Sequence, residues 1–230
     1  MSARHVLFVG AAAALLLAAP AHASLMFDST VTMTGTGLGA VSTILTMQAT
    51  GQAMGGSETG SVTWNGSADV LGGADVKSGA SQTLTRTVGS LGLTDAGQLA
   101  IVFNADQPAG GPITLSDLHL IITNSAGATL FDSGAFTSAS FASTDHGIGN
   151  SGAVFELDAA GAAAANSAGA FGNSTNRIGL AATAGPGNGG PETFFIAKET
   201  SSPVNVPEPA SLALLGTSLL GYSLLRRRQR

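Results

Sequence analysis

The chain has 230 residues, 9 of them basic and 14 acidic, for a net charge of −5 at neutral pH. Residues 24–206 hold four basic and 13 acidic residues, a balance of −9, which argues against a nucleic-acid partner because phosphate binding needs basic neutralisation. There is no cysteine, so no disulfide framework and no thiolate site exists, and the 32 glycines follow no three-residue period, which excludes collagen.

Residues 1–23 read as a secretory signal peptide. Arg4 gives a basic start, Val6 to Ala19 an apolar core, and Ala21-His22-Ala23 a small-residue cleavage site. The body, 24–197, is mostly of period two. Leu25, Phe27, Val31 and Met33 alternate with polar residues, and Val41 to Met47 reads similarly, as half-buried strands. Gly51 to Gly60 reads as a Gly/polar loop, and Val62-Thr63-Trp64 as a short strand closed by the turn pair Asn65-Gly66. Gln82 to Val88 places Thr83, Thr85 and Thr87 on one face, and Leu99 to Phe103 suits a central strand, being apolar on both faces. Ile113 to Thr123 is the strongest strand, and Asn124 to Gly127 turns it into Ala128 to Phe131.

Ser143 to Gly152 reads as a polar loop and Val154 to Leu157 as a strand. Asp158 is positioned to cap an Ala-rich helix, Ala159 to Ala168, stopped near Gly169. Ile178, Leu180 and Ala182 alternate again, Gly185 to Pro191 turns, and Thr193 to Ala197 is a last strand. Many short strands, turns between them and one helix predict a mostly-β body, a β-sandwich of jelly-roll-like type. Residues 198–205 form a polar linker.

Residues 206–230 have three parts in a fixed order. Pro207-Glu208-Pro209 is extended, because neither proline has an N–H to give a helix or ladder. Residues 210–225 are an uncharged apolar run, at helical rise roughly 24 Å, read as a transmembrane helix that Tyr222 and the arginine stems help to fit. Arg226, Arg227, Arg228 and Arg230 follow and should stay cytoplasmic. This tail resembles the PEP-CTERM sorting signal: Pro207, Glu208 and Pro209, then the helix, then Arg226 to Arg228. The resemblance implies recognition by a membrane protease-transpeptidase, an exosortase, in Gram-negative bacteria that make an extracellular polysaccharide matrix. It covers about 25 of the 230 residues and assigns no family to the body.

Catalytic chemistry finds little support in the body. There is no Gly-x-Ser-x-Gly elbow, and the mature chain keeps two histidines, His119 on the solvated face of its strand and His146 beside Asp145 in a polar loop. Glu156 and Asp158 share one strand face, Glu156 on its solvated side and Asp158 as helix cap, unlike the facing carboxylates of a glycoside hydrolase. No cofactor is expected. Calcium is the only candidate, at the Asp/Asn/Gly runs 65–75 and 145–150, and neither run fits an EF-hand loop. Trp64 is the one candidate for sugar stacking, with a core anchor as its other reading. The sequons Asn65-Gly66-Ser67 and Asn173-Ser174-Thr175 read as chance.

The expectation is an exported, non-enzymatic protein of the cell surface or biofilm matrix. It is cleaved at the PEP motif by an exosortase, contacts the membrane in transit or as an anchor, and associates with exopolysaccharide. A carbohydrate-binding module using Trp64 and a secreted hydrolase are the alternatives.

Overall fold

The computed structural model describes residues 25–34, 41–50, 55–79, 82–106, 111–141 and 151–199. The signal peptide read at 1–23, the loop with His146 and the whole tail 206–230 lie outside the described residues. Among the described residues no helix is long and apolar enough to cross a membrane.

The described chain is mostly β, in two antiparallel sheets with one α-helix. The first sheet has the order β1 (Leu25–Thr34), β10 (Ser151–Leu157), β6 (Leu99–Asn104), β12 (Glu192–Lys198) and β2 (Ser42–Met47). The second runs β4 (Asp69–Gly72), β3 (Glu58–Trp64), β11 (Arg177–Gly185), β7 (Ile113–Thr123) and β8 (Thr129–Asp132). Two short strands extend its lanes: β5 (Arg86–Thr87) continues the β3 edge of β11, and β9 (Ala139–Phe141) continues the β8 edge of β7. The second sheet is therefore seven strands but five lanes wide.

Period two decides which residues the sheets bury. In the first sheet Ile101, Phe103, Phe155, Phe194 and Ile196 point one way; in the second Val62, Leu118, Leu120, Ile122, Ile178 and Leu180 do. All of them join a single hydrophobic cluster, so the two sheets are layers over one core. Phe103 stacks on Phe194 with ring centroids 4.8 Å apart. Phe141 of β9 meets Phe27, Phe103 and Phe155 edge-on at 5.1, 5.9 and 5.7 Å, joining the layers along one side. Each such pair contributes about 0.5–1.5 kcal/mol beyond the area it buries. The opposite face of the first sheet carries a second, smaller cluster: Ala100, Val102, Val154 and Phe195.

The helix α1 (Ala159–Ser167) forms where expected, and the Asp158 carboxylate accepts the Gly161 N–H at 2.6 Å as its N-cap. The Asn124–Gly127 turn also forms. Gly127, at φ +87°, lies against the Asn65-Gly66 backbone so closely that a Cβ would fall 2.3 Å from the Asn65 carbonyl carbon. The two hairpin tips are thereby locked together.

Three expectations are corrected. The Gly51–Gly60 stretch is not all loop, because β3 begins at Glu58, with Glu58 and Gly60 in inward positions that composition reads as polar. The run Gln82–Val88 is not one ladder strand; only Arg86–Thr87 pairs with β11. Thr83 and Thr85 are buried there because Thr83 Oγ1 accepts the Thr46 N–H, at 3.1 Å, and Thr85 is held by its polar neighbours. Finally, β4 and β9 form in stretches for which no strand is expected.

Candidate functional sites

The last described contacts before the tail fix its root. Lys198 ends β12 and its ammonium donates to the Gly92 carbonyl. The Glu199 N–H donates to the Gln98 carbonyl at 2.9 Å. Pro207, Glu208, Pro209, Arg226, Arg227 and Arg228 follow outside the described residues.

Trp64, at the end of β3, does not join either hydrophobic cluster. Its indole N–H donates to the Ser125 carbonyl at 2.9 Å, and the Arg177 guanidinium lies over its ring, 3.8 Å from the centroid. Arg177 Nη1 donates to Thr85 Oγ1 at 2.7 Å and pairs with Asp69 at 3.8 Å, while the Thr85 hydroxyl donates to the same Asp69 oxygen. Arg86 Nε donates to the Thr43 carbonyl at 2.7 Å; burial lowers its pKa and Asp69 acts against that. The result is a polar rim in which one ring face of Trp64 is already covered by a cation.

His119 lies on the outer face of β7, as its alternation predicts, with a side chain 31% exposed. Its Nε2 is 3.1 Å from Asp117 and its Nδ1 is 3.2 Å from Asp132. Each ring nitrogen faces a separate carboxylate, so the three groups do not converge on one point. Asp132 also accepts the Gly134 N–H at 2.8 Å, which gives it a turn-holding job.

Glu156 and Asp158 do not act together. Asp158 caps α1, and Glu156 departs from its expected solvated position. Its Oε1 is shut off from solvent and has no hydrogen-bond partner. Burial pushes the Glu156 carboxyl up to about 7, and a hydrogen bond with Glu199 and the charges of Glu199 and Asp28 push the same way.

Sequence reasoning missed Glu58. It is 1% exposed, its Oε1 accepts the Ala49 N–H at 2.7 Å, and its Oε2 has no hydrogen-bond partner. Gly187 packs directly onto this carboxylate, where no Cβ would fit. The only sequence signal is its register: Glu58, Gly60 and Val62 share a face.

A shallow groove of about 270 Å³ lies between Gly55–Ser57, Thr114, Ser116 and Gly185-Pro186. Its lining has hydroxyls and glycines but no ionisable side chain. Among the described residues no group of three or more acidic or histidine side chains could hold a metal. In the run 65–75, Asn65 Oδ1 accepts from Ser67 and Ala68, and Asp75 accepts from Thr59. Both sequons are explained by local structure: Asn65 and Asn173 each accept from the N–H and hydroxyl of the residue two positions on, the turn in which Asn is preferred.

The body thus offers polar clusters with structural jobs, and the comparison with known families falls on the tail alone. Residues 205–229 are a PEP-CTERM protein-sorting motif. The match spans Pro207-Glu208-Pro209, the apolar run and the arginines through Arg228. No family model covers the body, and no curated protein and no solved structure matches the chain.

Proposed function

We propose that this is an exported, non-enzymatic protein of the cell envelope, surface or extracellular matrix, cut at its PEP motif by an exosortase. The observation that carries the reading is the sorting motif at 205–229, with the signal-peptide pattern of residues 1–23 in support. The body's part is structural: a two-layered β-sandwich that associates with exopolysaccharide through its polar surface. Supporting this, Asp158 caps α1, Asp132 holds a turn, Arg177 pairs with Asp69, and the groove has no ionisable side chain. The reading needs no cofactor. Intact mass of the protein from its own host, with and without the exosortase, tests it. Expected is a product from Ser24 to the region of Pro207–Pro209 that appears only with the enzyme. A chain that keeps Arg226–Arg230 in both strains would overturn it.

The second reading is a carbohydrate-binding module built on Trp64. It is favoured by the place of Trp64 at a polar rim beside Arg177, Asp69 and Thr85 rather than in the core. With one ring face covered, a sugar would stack on the other. A glycan array with the exported protein and its Trp64→Ala variant decides it; binding that is absent, or unchanged by the substitution, rejects this reading.

A further inference from the structure

Glu156 and Glu199 meet over the outer face of the first sheet. Strand register explains how. Phe155 pairs with Ile101 and Ala197 pairs with Ala100, so Glu156, Ala100 and Ala197 stand in one row across β10, β6 and β12. Glu199 lies two residues beyond Ala197, on the same face. Between them on β6 stands only the small side chain of Ala100, and the two carboxyl groups are hydrogen-bonded. On the other side of β10, Met26 pairs with Glu156 and Asp28 pairs with Val154, which brings a third carboxylate to the same face.

Among the described residues no cation pairs with Glu156 or Glu199. β6 contributes Ala100, Val102 and Asn104 to the face, none of them charged. The Lys198 ammonium is turned to the Gly92 carbonyl. Asp95, on the 3₁₀ turn that packs near β10, accepts from Gly97 and Asn166, and Asp158 is engaged in capping α1. Two carboxyl groups can hydrogen-bond only if one of them keeps a proton, and like charges at this range cannot both ionise freely.

We propose that Glu156 keeps a proton that it donates to Glu199, and so clips the root of the sorting tail onto the body, and that loss of this proton from Glu156 to solvent releases the clip. Deprotonation leaves two carboxylates facing each other beside Asp28, and the Glu199 N–H bond to Gln98 loses its neighbouring support. Glu199 is eight positions before Pro207, so the clip sets how far from the body the cleavage motif can be presented. That consequence rests on the tail being a processing site; the clip itself does not.

Hydrogen exchange on the full chain in detergent, corrected for the intrinsic pH dependence of exchange, tests the clip without any exosortase. Protection of the amides at 197–199 is expected to fall about ten-fold between about pH 6 and pH 8, while β7 and β11 amides keep theirs. Glu156→Gln keeps an amide donor facing Glu199, so its protection should stay high across that range. Glu199→Gln, beyond the end of β12, should likewise remove the pH dependence if Glu156→Gln folds poorly. Protection in the unsubstituted chain that ignores pH, or a pH dependence that survives both substitutions, would overturn the proposal. A tail that is never processed would leave this result untouched.

Discussion

The tail and the body carry information in different ways. In residues 206–230 the message is in residue type and order: a proline-locked acidic tripeptide, an uncharged run, then arginines. None of these needs a distant partner to be read. In the body, beside local caps and turns such as that of Asp158, the clusters singled out above acquire their meaning from residues far away in sequence, as Trp64 does from Arg177 and Ser125, and Glu156 from Glu199. A short linear signal survives changes of scaffold, whereas a surface built by long-range register does not. The family match falls on residues 205–229.

The sharpest way to break this comparison is to alter each region and look for effects in the other. Replacing Pro207, Glu208 and Pro209 together by alanine should lower C-terminal processing by about a hundred-fold, a difference of about 3 kcal/mol in recognition, measured as the cleaved fraction in the host. The body's unfolding midpoint should not move. Conversely, Phe103→Ala, which empties a site stacked on Phe194, should destabilise the body by about 3–5 kcal/mol in denaturant titration. The tail would still be cut in whatever chain is exported.

Smaller changes sharpen the picture within the body. Trp64→Ala removes the Arg177 contact and the indole bond, and should cost about 1–2 kcal/mol. Asp158→Ala removes the α1 cap and should cost about 1 kcal/mol by the same titration. The subtlest effect is on pH dependence. Glu156 keeps a proton in the folded protein that the unfolded chain has already released, so its contribution is fully present below about pH 4.5 and is lost as pH rises to about 7. Because the group is only half-buried, solvent screening leaves on the order of 1 kcal/mol of this. Glu156→Gln should flatten that slope and stabilise the protein at about pH 8 by a similar amount, read from thermal unfolding across pH.

How much of the body was legible follows the same division. β6 and β7 were plain because continuous apolarity and strict alternation are local signals, and the α1 cap because Asp158 directly precedes an alanine run. The first residues of β3 were not, because Gly60 is small for a remote reason: Met47 of the first sheet fills the space a Cβ would need. β4 was hidden because Val70 and Leu71 are both exposed at an edge, so no face alternates. Glu58 reads as a polar loop residue and Glu156 as an ordinary polar strand residue, since what surrounds the one is Ala49 and Gly187 and what meets the other lies 43 positions later. In the candidate sites, the sorting motif was legible as a motif; Trp64 was visible as a residue but its Arg177 cover was not.

The central claim is that the tail sets the protein's destination without help from the body. It is tested most directly by moving residues 198–230 onto an unrelated exported domain and following both chimera and tail-less body by cell fractionation and intact mass. The account predicts that the chimera is cut at the same three residues and reaches the compartment of the natural protein, while the tail-less body does not. A chimera that stays uncut in the membrane, or a tail-less body that still arrives, would contradict it.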